Sequence, residues 1–501
     1  MPDTTPHIAV MDIGKTNKKV LIYDYSLNLL DVAYGNFPEY VDGRIHYEDV
    51  ESTFKWLRKQ LKQFSSTYHI QAISISTHGA TAMGIDANGD LAVPPVAYTT
   101  EVAPSFREEF YETFGRREKL QQETATPEVG ELVNLAKLLF FMKKQWPQQY
   151  EKIETVLNYP QYIGFLFTGQ IGVEPTYLGC HSYLYDFQNN TYSDVAVKLG
   201  LADKLPWPLR SPWETLGTVK PDIANETGLP ESCLVTLGVH DSNAALLPYL
   251  VKGYDNFVLN STGTWCVAMR PAQQVTFQQE ELGKLVLYNL DVFGRPVKTS
   301  IFMGGLEHDT YLSILKNIHG RDDTPEPDLR RLEQILREKR HFIFPSVLQD
   351  TGIFPNARAR VVDGDKEYPL EDIQAGSSIP PMFNDYEFAY TVLTLSLAIQ
   401  TKTALDMIGF QGNEYIFTEG GFRKNPLYNT LISALFPHAV PCLTKLDEAS
   451  AFGAAILAKA ALEQGHPADA ADCFEIDMRR LSPPERLPGL NEYVEAFQAN
   501  V

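Results

Sequence analysis

Cysteine is scarce in this 501-residue chain. There are five, Cys180, Cys233, Cys266, Cys442 and Cys473, and no C-x-x-C pair. Neither a zinc site nor a disulfide framework is therefore expected, and a reducing cytoplasm is the simplest compartment. Basic residues are also short: 43 Lys and Arg against 63 Asp and Glu give a net charge of −20. Such a chain lacks the clustered cations that a nucleic-acid backbone requires, although a nucleotide's few charges can be met locally. No run of about 18 apolar residues occurs, which excludes an ordinary transmembrane helix. Met1 to Val10 has no basic stretch before an apolar core, so no secretory signal is expected. The composition that remains, 44% hydrophobic and 21% charged, is that of a globular protein of two or three domains.

Apolar runs at Ile8–Met11 and Val20–Tyr23 flank the polar turn Gly14-Lys15-Thr16-Asn17 and predict a hairpin. Ile70 to Ser76 alternates as a strand and leads to Thr77-His78-Gly79. Thr126-Pro127-Glu128 carries a helix-start signature, predicting a helix to about Trp146. A buried strand is expected over Val235–Val239, then a helix from Ser242 to about Leu250. A second strand–turn–strand follows, through Asn260-Ser261-Thr262-Gly263-Thr264 into Trp265–Met269. Further helices are expected over Tyr386–Ile408, Pro426–Leu435 and Glu448–Leu457, with a strand at Glu414–Phe417 before Gly420-Gly421. The last of these helices is crowded with small residues, which suit close approach of another helix or a ligand. Alternating strands and helices predict an α/β protein of two similarly built halves. The expected divisions are 1–250, 251–465 and a peripheral extension, 466–501. Loops packed on the second half are expected at Phe344–Pro355 and Ala375–Pro381.

Paired Gly/Thr turns, one per half, are what a nucleotide held in a cleft requires, because turn amides and hydroxyls can cradle phosphate oxygens. Neither turn is a G-x-x-x-x-G-K-[ST] loop. Asp12, at a strand end beside the first turn, suits either Mg²⁺ handling or acceptance of turn amides. Asp241, between strand and helix, suits either a general base toward an attacking hydroxyl or an N-cap. His240 either binds a substrate hydroxyl or packs. His78, after a strand, is a candidate for a polar substrate, with Tyr98 and Glu101 as weaker ones. Gly420, Gly421 and Asn425 suit an adenosine floor or an ordinary helix boundary.

Taken in order, these segments resemble the FGGY family of carbohydrate kinases. The likeness rests on Asp12-Ile13-Gly14-Lys15-Thr16-Asn17, Gly238-Val239-His240-Asp241 and Ser261-Thr262-Gly263-Thr264-Trp265. Glu419-Gly420-Gly421-Phe422-Arg423-Lys424-Asn425 and Glu448-Ala449-Ser450-Ala451-Phe452-Gly453-Ala454-Ala455 complete it. The His-Asp pair and the S-x-G-T-W turn look most like the rhamnulokinase and fuculokinase branch. The resemblance implies two ribonuclease-H-like, actin-like ATPase halves enclosing a cleft, and an ATP- and Mg²⁺-dependent kinase for a sugar hydroxyl. It implies Asp241 as base and Asp12 as the metal-associated carboxylate. Gly14, Lys15, Thr16, Asn17, Lys19, Thr262, Gly263 and Thr264 would then lie around phosphate, and Gly420, Gly421 and Asn425 around adenosine. The sugar would bind mainly to the first half, near His78, Gly79, Thr81, Tyr98, Glu101, His240 and Asp241.

The chain departs from the family's pattern at several of these positions. Lys19 stands where the family usually has arginine. Lys15 replaces a small or hydroxyl residue, reaching either phosphate or solvent. His78-Gly79-Ala80-Thr81 replaces the W-G-V-D or F-G-V-D of deoxyketose kinases and is similar to the M-H-G of xylulokinases. In Tyr98-Thr99-Thr100-Glu101 the acid is displaced by one position. The expected partner is a small sugar, with homodimerisation left open. The rivals are a kinase for another ketose or polyol, and an actin-like nucleotide-dependent interaction module.

Overall fold

A computed structural model describes residues 5–348, 352–354, 357–446, 448–482 and 486–501. Two mixed sheets organise it. In the first half, β1 (His7–Ile13), β2 (Lys18–Tyr23) and β3 (Leu29–Gly35) are antiparallel neighbours, and β4 (Ile70–Thr77) lies parallel to β1. The edge strand β5 (Thr215–Thr218) pairs antiparallel with β6 (Leu234–Thr236). Both β6 and β7 (Val239–His240) run parallel to β4. The single strand expected over Val235–Val239 is therefore broken. Gly238 interrupts it at φ +84°, where a Cβ would meet the Ile75 carbonyl at 2.9 Å. Beyond the break, helix α1 (Asp241–Val251) begins.

The second half repeats the plan. β8 (Phe257–Thr262) pairs antiparallel with β9 (Cys266–Pro271), whose other neighbour is β11 (Pro296–Phe302). β12 (Tyr415–Gly420) and β13 (Val440–Thr444) continue in parallel from β8. Among the described residues one strand has no counterpart in the first half: β10 (Val286–Leu290) pairs antiparallel with β11 and forms an added outer edge. The expected hairpins, strands and long helix (Tyr386–Met407) are present.

The halves interlock. Helix α2 (Ala449–Glu463) follows a second-half strand, yet its small side chains pack with Ile8, Val10, Ala72 and Ala244 of the first half. A Cβ on Gly453 would overlap the Ala244 carbonyl, so glycine is what lets α2 cross α1 so closely. The small-residue face thus serves a helix contact.

Two expectations are corrected. The helix read from Thr126 begins only at Leu135. Residues 125–134 are irregular instead, with Asn134 accepting from the Val129 amide and donating to the Pro127 carbonyl, while Tyr288 N–H of β10 bonds the Ala125 carbonyl. A local cap signal lost to contact with the other half. The tail is not peripheral: β14 (Met478–Arg480) pairs with β13, and helix Leu490–Asn500 buries Leu490, Tyr493, Val494 and Phe497 in the second-half core. Among the described residues the loops expected at Phe344–Pro355 and Ala375–Pro381 are largely irregular, and beside them stand helix Leu329–Glu338 and a three-stranded sheet, His341–Phe344, Arg360–Asp363 and Lys366–Pro369. Part of the loop expected at Phe344–Pro355 lies outside the described residues. Among the described residues no helix is long and apolar enough to cross a membrane.

Candidate active site

Two cavities lie on either side of the β8–β9 turn. The smaller, about 270 Å³, is lined from the first half by Lys15, His78, Gly79, Tyr98, His240 and Asp241. Its opposite wall is second-half: Ser261, Trp265, Val267, Leu287, Asn289, Thr299 and Ile301. The larger, about 850 Å³, takes Thr262, Gly263 and Thr264 from the turn, with Gly305, His308, Tyr390, Gly421, Phe422 and Asn425. One turn thus gives its two ends to the small cavity and its middle to the large one. The large cavity falls within the usual range for organic ligands, ~300–1,000 Å³, and the small one just below it.

Asp241 is the first residue of α1, and the preceding His240 occupies the N-cap position. Its Oδ1 accepts from the Ser242 amide at 2.6 Å and lies 3.3 Å from His240 Nε2. The side chain is 30% exposed, open to the cavity and enclosed by protein elsewhere. Burial holds its pKa above the ordinary carboxylate value, against the lowering influences of His78 and of the Ser242 hydrogen bonds.

Asp12, at the end of β1, is buried. Loss of water pushes its pKa up to about 6; Lys19 opposes this and the Asp241 charge adds to it. Ser450 Oγ donates to Asp12 Oδ2 at 3.1 Å, and Lys19 Nζ lies 3.8 Å from the same oxygen while also pairing with Glu448. The start of α2 therefore completes the surroundings of a strand more than 430 residues earlier in the chain.

His78 Nδ1 bonds the Gly79 carbonyl at 2.9 Å, and its ring meets those of Tyr98 and Tyr159 edge-on. His78 and His240 are both buried, which lowers each pKa to about 4 and keeps both imidazoles neutral near pH 7. Lys15 is partly exposed and engaged within the first half. Its ammonium pairs with Glu39 and Glu48 and lies 4.4 Å over the Tyr98 ring, at the wall of the small cavity.

The structure brings together Asp12, Lys15, Lys19, His78, Gly79, Tyr98, His240 and Asp241, but not every expected residue. Thr81 is fully buried and lines neither cavity; its backbone is pinned by the Tyr177 hydroxyl. Glu101 is exposed and lines neither. Gly14, Thr16 and Asn17 form the hairpin tip outside both cavities, with Thr16 and Asn17 exposed. In the second half Thr262 Oγ is committed to the Glu419 carbonyl and the Phe422 amide. The large cavity's turn consequently offers backbone at Gly263, and Gly305 faces it closely: a Cβ there would overlap the Gly263 carbonyl. Asn425 caps helix Pro426–Leu435 through Oδ1 and lines the large cavity as well. Gly420 sits at φ +78°, against Thr262.

The sequence reading missed Cys180, His181 and the whole second-half wall of the small cavity. Asn289 is the most telling omission. It is buried on β10 and lines the cavity, with no hydrogen-bond partner for its Oδ1 among the described residues. Strand alternation of Leu287 with Asn289, and of Val297, Thr299 and Ile301 on β11, was the available signal for one shared face.

Comparisons with known proteins bear on the family and the fold. Residues 7–248 match the model of the FGGY family of carbohydrate kinases, N-terminal domain. Residues 255–467 match that of carbohydrate kinase FGGY, C-terminal domain. The chain is 28% identical over 196 residues to a rhamnulokinase of Enterococcus faecalis, 38% of each protein. It is 28% identical over 283 residues to a probable L-xylulose kinase of Pasteurella multocida, 54% of this chain and 56% of that one. The chain thus matches less than two thirds of the length of these relatives. A crystal structure of a carbohydrate kinase from Novosphingobium aromaticivorans superposes with a TM-score of 0.79 at 26% identity, covering 99% of both chains. With both domain models matched in order and the two sheets built alike around one cleft, the chain belongs to the FGGY family of carbohydrate kinases.

Proposed function

We propose that this protein transfers the γ-phosphoryl group of ATP to a hydroxyl of a small sugar. The observation that carries the reading is the shared turn Ser261–Trp265. A nucleotide in the glycine-lined cavity and a sugar beside Asp241 would meet across it. The large cavity suits a nucleotide: Tyr390 and Phe422 supply apolar surface, and the Gly263–Gly305 contact leaves bare backbone toward phosphate. Lys19 would supply positive charge nearby.

In the small cavity the neutral His78 and His240 would receive sugar hydroxyls. Asn289 Oδ1, otherwise unpartnered, would accept another hydroxyl proton from the second half. The amide and hydroxyl of Ser242 both donate to Asp241 Oδ1, so Oδ2 would take the proton of the attacking hydroxyl. A raised pKa makes this carboxylate a stronger base. Asp12 fits a divalent cation, because its buried carboxylate lacks sufficient counter-charge, as its raised pKa attests. Mg²⁺ bound there would spread the charge on the β- and γ-phosphates.

For the acceptor we favour a ketose such as L-rhamnulose or L-fuculose. Support comes from the S-x-G-T-W turn and the rhamnulokinase relative. The apolar wall of Val267, Leu287 and Ile301, which suits a deoxy terminus, points the same way. The altered His78–Thr81 segment and the L-xylulose kinase relative keep a pentulose as the second reading.

The deciding experiment is ADP release over a panel of ketoses and polyols, for wild type and Asp241→Asn. Sugar-dependent turnover that disappears in the variant while ATP still binds is expected. Equal ATP hydrolysis with and without every sugar, indifferent to Asp241, would instead identify an actin-like ATPase.

A further inference from the structure

The sequence lacks any zinc spacing, yet the fold assembles one group of potential ligands in the small cavity. One ligand atom each from Cys180, His181 and His240 lies within 4.8 Å of the others, and all three residues line the cavity. We infer that Cys180, His181 and His240 form a binding site for a thiophilic divalent cation of the Zn²⁺ class, placed so that the bound ion obstructs the sugar pocket.

Three features converge on this site. The first is the absence of a side chain at Gly79. A Cβ there would lie 2.8 Å from His181 Nε2 and 2.9 Å from His240 Nε2, so both nitrogens point into the space that glycine leaves. The second is the orientation of His181. Its Nδ1 lies 3.2 Å from the Val133 carbonyl, which can only accept, so the proton is on Nδ1 and Nε2 presents its lone pair. His181 also stands at φ +38°, a backbone state uncommon for a non-glycine residue, and that backbone holds the ring over the cavity. The third is Cys180 Sγ, 4.0 Å from His240 Nε2. Tetrahedral zinc with S and N ligands needs separations of about 3.3–3.6 Å, so small side-chain rotations close the set.

His240 needs one adjustment. As oriented, Asn243 Nδ2 donates to His240 Nδ1 at 3.1 Å, while Asn243 Oδ1 is buried without a partner. Turning that amide gives Oδ1 the proton of His240 Nδ1 and frees Nε2 for the metal, at the cost of the 3.4 Å hydrogen bond to the Thr176 carbonyl, which the turned Oδ1 would then face. On binding, the Cys180 thiol releases its proton to solvent as the S–metal bond forms. The site stands on geometry alone, and only its effect on turnover rests on the kinase reading.

Co²⁺, which reports thiolate ligation by its absorption, tests the site without ATP or sugar. One equivalent is expected to give a thiolate charge-transfer band in the full-length protein. Cys180→Ser should abolish the band, and His181→Gln should weaken binding about tenfold or more. Cys473→Ser, which removes the exposed thiol, should leave the band intact. His181→Gln keeps the test decisive if Cys180→Ser fails to fold. No band in wild type, or a band that survives Cys180→Ser, overturns the site. With the band established, Zn²⁺ is expected to inhibit competitively against the sugar identified in the panel. Inhibition competitive with Mg-ATP alone, or none, overturns the obstruction.

Discussion

The two halves share a strand plan but equip it differently. In the first, the turn region holds ionisable groups kept from water: Asp12 with its pKa near 6, Lys19, and Asp241 at the start of α1. In the second, the equivalent turn has no charge. Thr262 spends its hydroxyl on the backbone, and Gly263 and Gly305 meet so closely that no side chain fits between them. The same scaffold can thus separate proton and cation handling from a backbone cradle. The second half has one more device, the added strand β10, which reaches the first half and walls the small cavity. Gln121 grips this region, donating to the Val286 carbonyl at 2.8 Å and accepting from the Gly283 amide at 2.7 Å.

If that division holds, the largest effect belongs to Asp241. Asp241→Asn should lower kcat by about 10²- to 10⁴-fold with little change in ATP affinity, measured by ADP release and nucleotide binding. In wild type, kcat/KM should fall on acidification through a pH above the ordinary carboxylate value, because the proton that silences the base is held more tightly than usual. An acid limb at the ordinary aspartate value, 3.8, would break the assignment.

Gly305→Ala probes the opposite side. Its Cβ strikes the Gly263 backbone, so the KM for ATP should rise roughly tenfold while the KM for sugar is preserved; steady-state kinetics against each substrate separates the two. A rise in the sugar KM alone would contradict the split.

Asp12→Asn should trade activity for stability. The folded protein binds the Asp12 proton more tightly than the unfolded chain, with pKa about 6 against 3.8. The associated stability is therefore fully present below pH 3.8 and is lost as pH rises through 6. Asparagine avoids that loss, so the variant should be more stable by up to ~2–3 kcal/mol at pH 7.5 and indistinguishable near pH 4. Thermal unfolding at the two pH values checks this, with turnover expected to drop.

The smallest effect is that of Gln121→Ala. It strands the buried Val286 carbonyl and frees the more exposed Gly283 amide, at a cost of ~1–3 kcal/mol, and should raise the sugar KM severalfold through the loosened wall.

Much of this was legible from the residues in order. Hairpins showed in their apolar runs, the long helix in its periodicity up to Gly409, and the His240-Asp241 junction in the change from strand to helix. Local signals failed where a distant segment intervened. Thr126-Pro127-Glu128 reads as a helix start, yet its chain is held irregular by β10 and by Asn134. Lys15 reads as a phosphate or solvent residue, yet Glu39 and Glu48 draw it to the small cavity.

The sequence by itself determined the element types and the two turns, because periodicity and glycine placement act within a few residues. It also placed the carboxylates at positions 12 and 241 at strand ends. Only the tertiary structure decided which groups share an environment. Desolvation of Asp12, the convergence of Cys180, His181 and His240, and the Asn289 wall each depend on chain segments folding against one another across the cleft. Electrostatics and hydrogen bonding answer to distance in space, and the order of residues does not specify that distance until the core has packed.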